Sequence, residues 1–519
     1  MAKFTEATPI TLGAPVAGID LKSPLAGMQP NKSPWLLNVN CENQKISVRP
    51  GYVVHSTIGS GSEEIYAIGV WGSNAGGTEK LFAYVNDGSG THKIYDVSAS
   101  AESLVETCAD DAALVARPFN FAKRLGFVVE QDWAQCSRQY NGTTWDDWGF
   151  TYSAAEIGAP VCVSFKGRVY LFSGTNMYYG ALLAITGATS LEDLQYVFDD
   201  AGSITWAGVL SSPSQRSEEI YLAIGLNTGE ILVYGGDYPG SATWGIVGRF
   251  RIGPPLGHNS VLSWNNDLLI LTRNSIVSLR GLFETGNLAA DQDTFSDAID
   301  EYWTKLVTNS NLEIDSTPIT GAYWPEQNKL FFLVPGHYSD TGTYTVGDAT
   351  MFVRNTITGA WSLHKLDHDS ITRTGGLTYF NNSLYFFTDN KVVKIDKTVF
   401  KDEALNSPAT YSIYDWEVQG AHTTFGVDAT NKRLVEIKAH FKTDFSNGVV
   451  GVRGVADFGL SISDFATVEL VDGYNNKMHS VGVDGDYLQY RVAGSSDTGS
   501  TDGLELYSVT AIVKAGGRG

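Results

Sequence analysis

Along most of this chain, apolar and polar residues alternate in short runs, and each run stops at a Gly, Asn or Asp turn. A period of two marks a strand with one buried face. The pattern is clear in EKLFAYVNDGSGTHKIYDV (79–97), KRLGFVVEQ (123–131) and GRVYLFSG (167–174). It returns in GEILVYGGD (229–237), NDLLILTRNSIVSL (266–279), NKLFFLVP (328–335) and NSLYFFTDNKVVKID (382–396). Successive starts fall roughly 40–60 residues apart, a period that belongs to β-propeller blades. Two segments add detail: Tyr140–Phe150 (YNGTTWDDWGF) and Arg354–Leu366 (RNTITGAWSLHKL) each place a Trp, Trp145 or Trp361, just after a Gly turn. Either Trp alone fits the core of an ordinary hairpin, and the seven similar units favour packing between adjacent blades instead.

Three stretches depart from the repeat. Residues 1–64 carry prolines at 9, 15, 24, 30, 34 and 50, which break helices and favour extended backbone, so they read as an arm with partial strands. Such an arm lies either on a neighbour or on its own chain, where it could close the ring. Thr294–Val307 is the best helix candidate: Phe295, Ile299, Trp303 and Leu306 share one face, Asp297, Asp300 and Glu301 the other, and Thr294 can cap it. After Pro408 there is no proline, and Val435, Ile437, Ala439 and Phe441 alternate with Glu436, Lys438, His440 and Lys442. Further strands follow at 449–455, 466–471, 486–492 and 504–513, a pattern that predicts an antiparallel β-sandwich. The expected fold is therefore all-β: an arm (1–64), a propeller of six blades, or seven, with insertions including a helix near 294–307 (65–400), and a C-terminal β-sandwich (401–519).

Composition narrows the function. Of 519 residues, 43% are hydrophobic and 18% charged, enough for large cores and too little charge for disorder. The formal net charge is −21, the opposite of the basic face that phosphate neutralisation demands of a nucleic-acid binder. An acidic wall can instead serve as a repelling channel lining along which DNA slides. Cys41, Cys108, Cys136 and Cys162 contain no C-x-x-C spacing and read as free buried thiols of a protein made in a reducing cytoplasm. The opening MAKFTEATPITLGAPVAG has no signal-peptide core, and no window approaches the ~18 uncharged apolar residues of a membrane helix, so no membrane anchor is expected.

Motifs with chemistry are missing. G-x-x-x-x-G-K-[ST], G-x-G-x-x-G, G-x-S-x-G and H-E-x-x-H do not occur. His364, Asp367 and His368 form the one His cluster, but in a strand His364 and His368 stand ~13 Å apart, too far for one ion, and they read as surface polar residues. Asp484-Gly485-Asp486 opens like a calcium loop, yet Ser495 stands where the bidentate Glu belongs, so it reads as a turn. Sialidase-type propellers repeat an S-x-D-x-G-x-x-W turn; Thr356–Trp361 keeps the Gly and Trp without the Asp. No enzyme, cofactor or metal site is expected.

Gly18–His55 reads GIDLKSPLAGMQPNKSPWLLNVNCENQKISVRPGYVVH. This segment resembles the opening of nozzle (tail-hub) proteins in the tails of short-tailed bacteriophages. The matching residues are Pro30, Leu36, Asn38, Val48, Arg49, Gly51 and Tyr52, with Arg49, Pro50, Gly51 and Tyr52 as a structural family motif. The later ITGAW and FSDAIDEYWTKLV fit the same pattern, and in architecture the resemblance covers about residues 1–400. It implies a virion protein made in the host cytoplasm and assembled as a hexameric ring below the portal and head-to-tail adaptor. That ring would extend and gate the DNA ejection channel and dock tail fibres or spikes, with genomic DNA passing an acidic wall without specific binding. The alternative from the fold alone is a carbohydrate-binding or glycoside-hydrolysing propeller with convergent carboxylates on its axis.

Overall fold

The computed structural model describes residues 7–72, 79–108, 116–129, 137–151, 159–213, 218–285, 294–309, 319–366, 373–404, 411–412, 414–425, 431–443, 450–468, 473–496 and 503–515. The regular secondary structure of the described residues is almost all strand, as the alternation predicts. Seven sheets stand round one axis, with inner strands Glu64–Trp71, Ala116–Phe121, Val161–Phe165, Ile204–Pro213, Val261–Trp264, Thr320–Trp324 and Thr374–Phe380. Each inner strand touches the next, and the seventh touches the first, so the ring is closed. Each of the seven alternating runs falls in a different sheet, so the propeller takes the larger of the two blade counts that the sequence allowed. Among the described residues the fifth blade has three paired strands, and the helix Leu279–Thr285 follows them.

Hairpin turns account for the short runs. Asn265-Asn266 and Asn381-Asn382 have positive φ at both positions, the geometry a two-residue turn requires and Asn tolerates. Trp145 packs edge-on against Phe82 of the first blade, centroids 5.0 Å apart, and stacks on Phe127 of its own blade at 5.7 Å. The aromatic after the Gly142 turn thus seals one blade to the next, with a contribution of order 1 kcal/mol beyond its area.

The N-terminal arm stays on its own chain and serves both lobes. Gly51–Thr57 pairs antiparallel with Lys391–Asp396 as the fourth strand of the seventh blade, so that blade joins the chain's beginning to residues 374–396. Upstream, Thr8–Gly13, Val39–Cys41 and Ile46–Val48 join a seven-stranded sheet built on Lys432–Thr443 and Leu504–Ala515. Leu36–Leu37 lies between the sixth blade's outer strand, Trp361–Leu366, and Asp415–Gln419. One ten-stranded sheet therefore runs from the propeller into the sandwich. A single hydrophobic core follows it, from Trp303, Phe332 and Phe352 to Trp416, Ile437 and Val492.

Two local expectations are corrected. The helix is Asp300–Asn309 and starts six residues later than Thr294. The amide of Phe295 donates to Ile276 O at 3.1 Å, and Ser296 Oγ accepts from Ile276 N at 2.7 Å. Residues 294–296 are thereby held along the fifth blade, while Ile299, Trp303 and Leu306 are buried as the periodicity required. In Lys432–Thr443 the register shifts between Leu434 and Glu436, so Leu434 is buried and Val435 only half-buried. A bulge inverts the alternation upstream of it.

Because one core crosses both lobes, calorimetry should give a single unfolding transition for the whole chain. Two resolved peaks would show that the lobes are energetically separate.

Candidate functional site: the lobe junction and the axial cavity

Arg49 sits where the arm leaves the sandwich and enters the seventh blade. Its side chain is essentially sealed from water. Nη1 and Nη2 donate to the two carboxylate oxygens of Asp402 at 2.9 and 2.5 Å, the paired geometry that makes Arg–carboxylate bonds strong. Nε donates to Asn38 Oδ1 at 2.9 Å, Nη1 also to Pro50 O at 2.9 Å, and Nη2 to Lys365 O at 3.1 Å. The guanidinium lies 3.8 Å from the centre of the Tyr414 ring, whose hydroxyl donates to Arg49 O. Burial works against the Arg49 charge, but Asp402 more than offsets it and the pKa stays above the ordinary value. Burial pushes the Tyr414 hydroxyl up in turn.

The rest of the motif follows from the same crossing. Pro50 needs no amide partner at the break between strands. A Cβ on Gly51 would stand 1.9 Å from Lys401 O, so only glycine fits. Tyr52 is buried against Phe386, and its amide donates to Asp402 Oδ1 at 3.3 Å. The motif residues are thus brought together, and they position backbone rather than present reactive groups. Asp402, Tyr414, Asn38 and Lys365 complete the cluster. Sequence gave no signal for the first two, 350 residues away.

The other sequence candidates resolve differently. His364 is buried, which corrects its reading as a surface residue; it is on the sixth blade's outer strand against Phe331. Burial, then the Arg49 and Lys329 charges, hold its pKa well below the ordinary value, so it is neutral. Asp367 and His368 lie outside the described residues. Asp484 and Gly485 end the strand Met478–Gly485, and the chain bends at Asp486-Tyr487, where Asp457 Oδ1 accepts from both amides, each at 2.9 Å. Among the described residues no three His, Cys, Asp or Glu side chains gather as metal ligands. Cys41 and Cys162 are free thiols, Cys108 is buried, and burial pushes the Cys41 thiol up to about 12; Cys136 lies outside the described residues. No helix among the described residues is long and apolar enough to cross a membrane.

At the propeller axis all seven inner strands line a cavity of about 430 Å³. Its walls are mostly small and apolar: Ala67, Val163, Ala207, Gly208, Val261 and Gly376 among them. Arg117 is the one charged side chain in the described lining, with His258, Asn259 and Ser164 as polar neighbours. No carboxylate lines it among the described residues.

No protein-family model and no curated protein matches the chain. Among solved structures, the crystal structure of Saccharomyces cerevisiae Sqt1 is similar to it, at 9% identity and a TM-score of 0.38, over 72% of this chain and 97% of that chain. The fold described above rests on the strand pairing itself.

Removing one member of the Arg49–Asp402 pair strands a buried charge, which costs about 3–5 kcal/mol. Arg49→Met and Asp402→Leu should each show this loss in denaturant melts, Arg49→Lys should not restore the wild-type value, and the Arg49→Met/Asp402→Leu double variant should recover part of it. Additive losses in the double variant would mean the two residues act independently.

Acid should weaken the fold before the carboxylates titrate. His364 and His422 are neutral in the native state; burial, then Arg491, lowers His422 to about 4. Both take protons near 6.5 once unfolded. The stability they contribute is present above pH 6.5 and is lost as pH falls toward 4, at no more than about 1.4 kcal/mol per pH unit for each. Melting temperature followed from pH 7 to 4 should fall, and His422→Gln should flatten the slope.

Proposed function

We propose that this chain is a structural subunit of the nozzle in a short phage tail. It extends and gates the DNA ejection channel below the portal and adaptor, and it offers surfaces to fibres or spikes. The observation that supports the reading best is the use of the Arg49-Pro50-Gly51-Tyr52 motif. The residues that carry the family resemblance form the buried crossing that ties propeller to sandwich. A part that contains DNA under pressure needs lobes that do not hinge, and a shared sheet and core supply that stiffness. The net charge of −21 suits a wall past which DNA slides without specific binding.

In this reading the chain has no catalytic task, assembles as a hexameric ring and resides in the virion tail after synthesis in host cytoplasm. The DNA channel then belongs to the ring of six and not to the propeller axis, whose cavity is small and mostly apolar. A glycoside hydrolase centred on that axis would need convergent carboxylates there.

Cryo-electron microscopy of the native particle tests the proposal. Six copies around an axial channel below a twelve-fold ring are expected, with acidic side chains toward the lumen. A lone monomer, or an assembly without a channel, would overturn it.

A further inference from the structure

Two cavities, of about 440 and 230 Å³, meet at Asp340 on the seam between the sixth blade and the sandwich. The larger is walled by Asp415, Glu417, Arg453 and Phe465 over a floor that includes Gly451 and Gly494, where the absence of side chains keeps the sheet surface low. The smaller is walled by Trp35, Tyr302, Tyr338, Lys305, Gln419 and Arg491. Glu301 also lines it.

The polar groups are planar and held in place. Arg453 and Arg491 stand directly opposite each other on neighbouring strands. Arg453 Nη2 and Arg491 Nη1 approach Glu417 Oε1 at 3.7 and 3.6 Å, and Arg491 Nη1 donates to Asp340 Oδ2 at 3.2 Å. Gln419 Nε2 donates to the same Glu417 oxygen at 3.2 Å. Arg453 Nε has no hydrogen-bond partner. Like charges directly opposite in a sheet are unfavourable, and Glu417, shared by both arginines, offsets the repulsion and fixes the two guanidiniums side by side.

Aromatic faces complete the groove. Phe465 is 43% exposed, with Arg453 4.2 Å from its ring centre. Lys305 Nζ lies 4.5 Å from the Tyr338 ring centre. The carboxylates of Asp340, Asp415, Glu417 and Glu301 are nearly balanced by Arg453, Arg491 and Lys305, within a chain whose net charge is −21. An ion of either sign gains little from such a balance. A ligand with many hydroxyls and an apolar ring face can use every element: carboxylates accept, guanidiniums and the amide donate, and aromatic rings take the C–H face.

We infer that this groove binds a neutral saccharide, without hydrolysing it. The inference stands apart from the nozzle reading, because it concerns a site at the seam and not the assembly.

The test is a glycan array probed with the labelled full-length chain, followed by saturation-transfer NMR and affinity measurement on the retained glycans. Neutral oligosaccharides should be retained. Phe465→Ala should weaken binding about tenfold, as expected for loss of a stacking face, and Arg453→Gln should weaken it similarly. Because Phe465 is half exposed, its truncation should leave the melting temperature nearly unchanged, so that variant decides the matter even where Arg453→Gln is unstable. No retained neutral glycan, retention of acidic glycans alone, or equal affinity in wild type and Phe465→Ala would overturn the inference.

Discussion

A guanidinium sealed from water sets the terms for the rest of this molecule. Arg49 must meet its desolvation cost from inside the protein, and it has five partners: Asn38, Pro50, Lys365, Asp402 and Tyr414. These belong to the arm, the sixth blade, the link after the seventh blade and the start of the sandwich. No smaller piece of the chain holds them all. The site is complete only when both lobes are in their final relation. A buried ion pair is a poor source of net stability, but it is costly to half-assemble, so it selects one arrangement of lobes over loosely docked alternatives.

That selection has a structural partner in the ten-stranded sheet. Leu36–Leu37 is only two residues long, yet it bridges the propeller's sixth blade to Asp415–Gln419. Asn38, at φ 56, turns the chain immediately after it; its side-chain oxygen accepts from Lys365 N at 2.7 Å as well as from Arg49. The same residues therefore stitch the sheet and satisfy the buried charge. A consequence is the seam itself: where the sixth blade meets the sandwich, surface from each lobe faces the same groove. Neither lobe alone would bring Trp35, Tyr338, Arg453 and Phe465 to one place.

Much of the fold was legible because its signals are local. The runs along 79–97 and 382–396 mark strands whatever lies beyond them, although Lys80–Asn86 and Ser383–Thr388 are buried on both faces because neighbouring blades cover them. Legibility failed where distant chain intervened. Thr294–Ser296 carry a helical pattern but are captured by the edge of Ile276–Ser278. Val435 lost its buried place to Leu434 through a bulge. His364 looked like a surface residue until Val39–Cys41 covered its strand and buried it beside Arg49 and Lys329. The propeller's seventh blade was hard to count because it is completed by a strand more than 300 residues upstream.

The sequence by itself determined strand, turn and blade repeat, since short apolar runs and left-handed turn residues act within a few positions of one another. It also marked Arg49, Pro50, Gly51 and Tyr52 as a unit. What the unit does was decided only by tertiary structure, because Asp402, Lys401 and Tyr414, which explain the charge and the glycine, approach it from 350 residues away. The seam groove was decided in the same way: its carboxylates and cations come together only once the sixth blade, the helix Asp300–Asn309 and the sandwich are packed against one another.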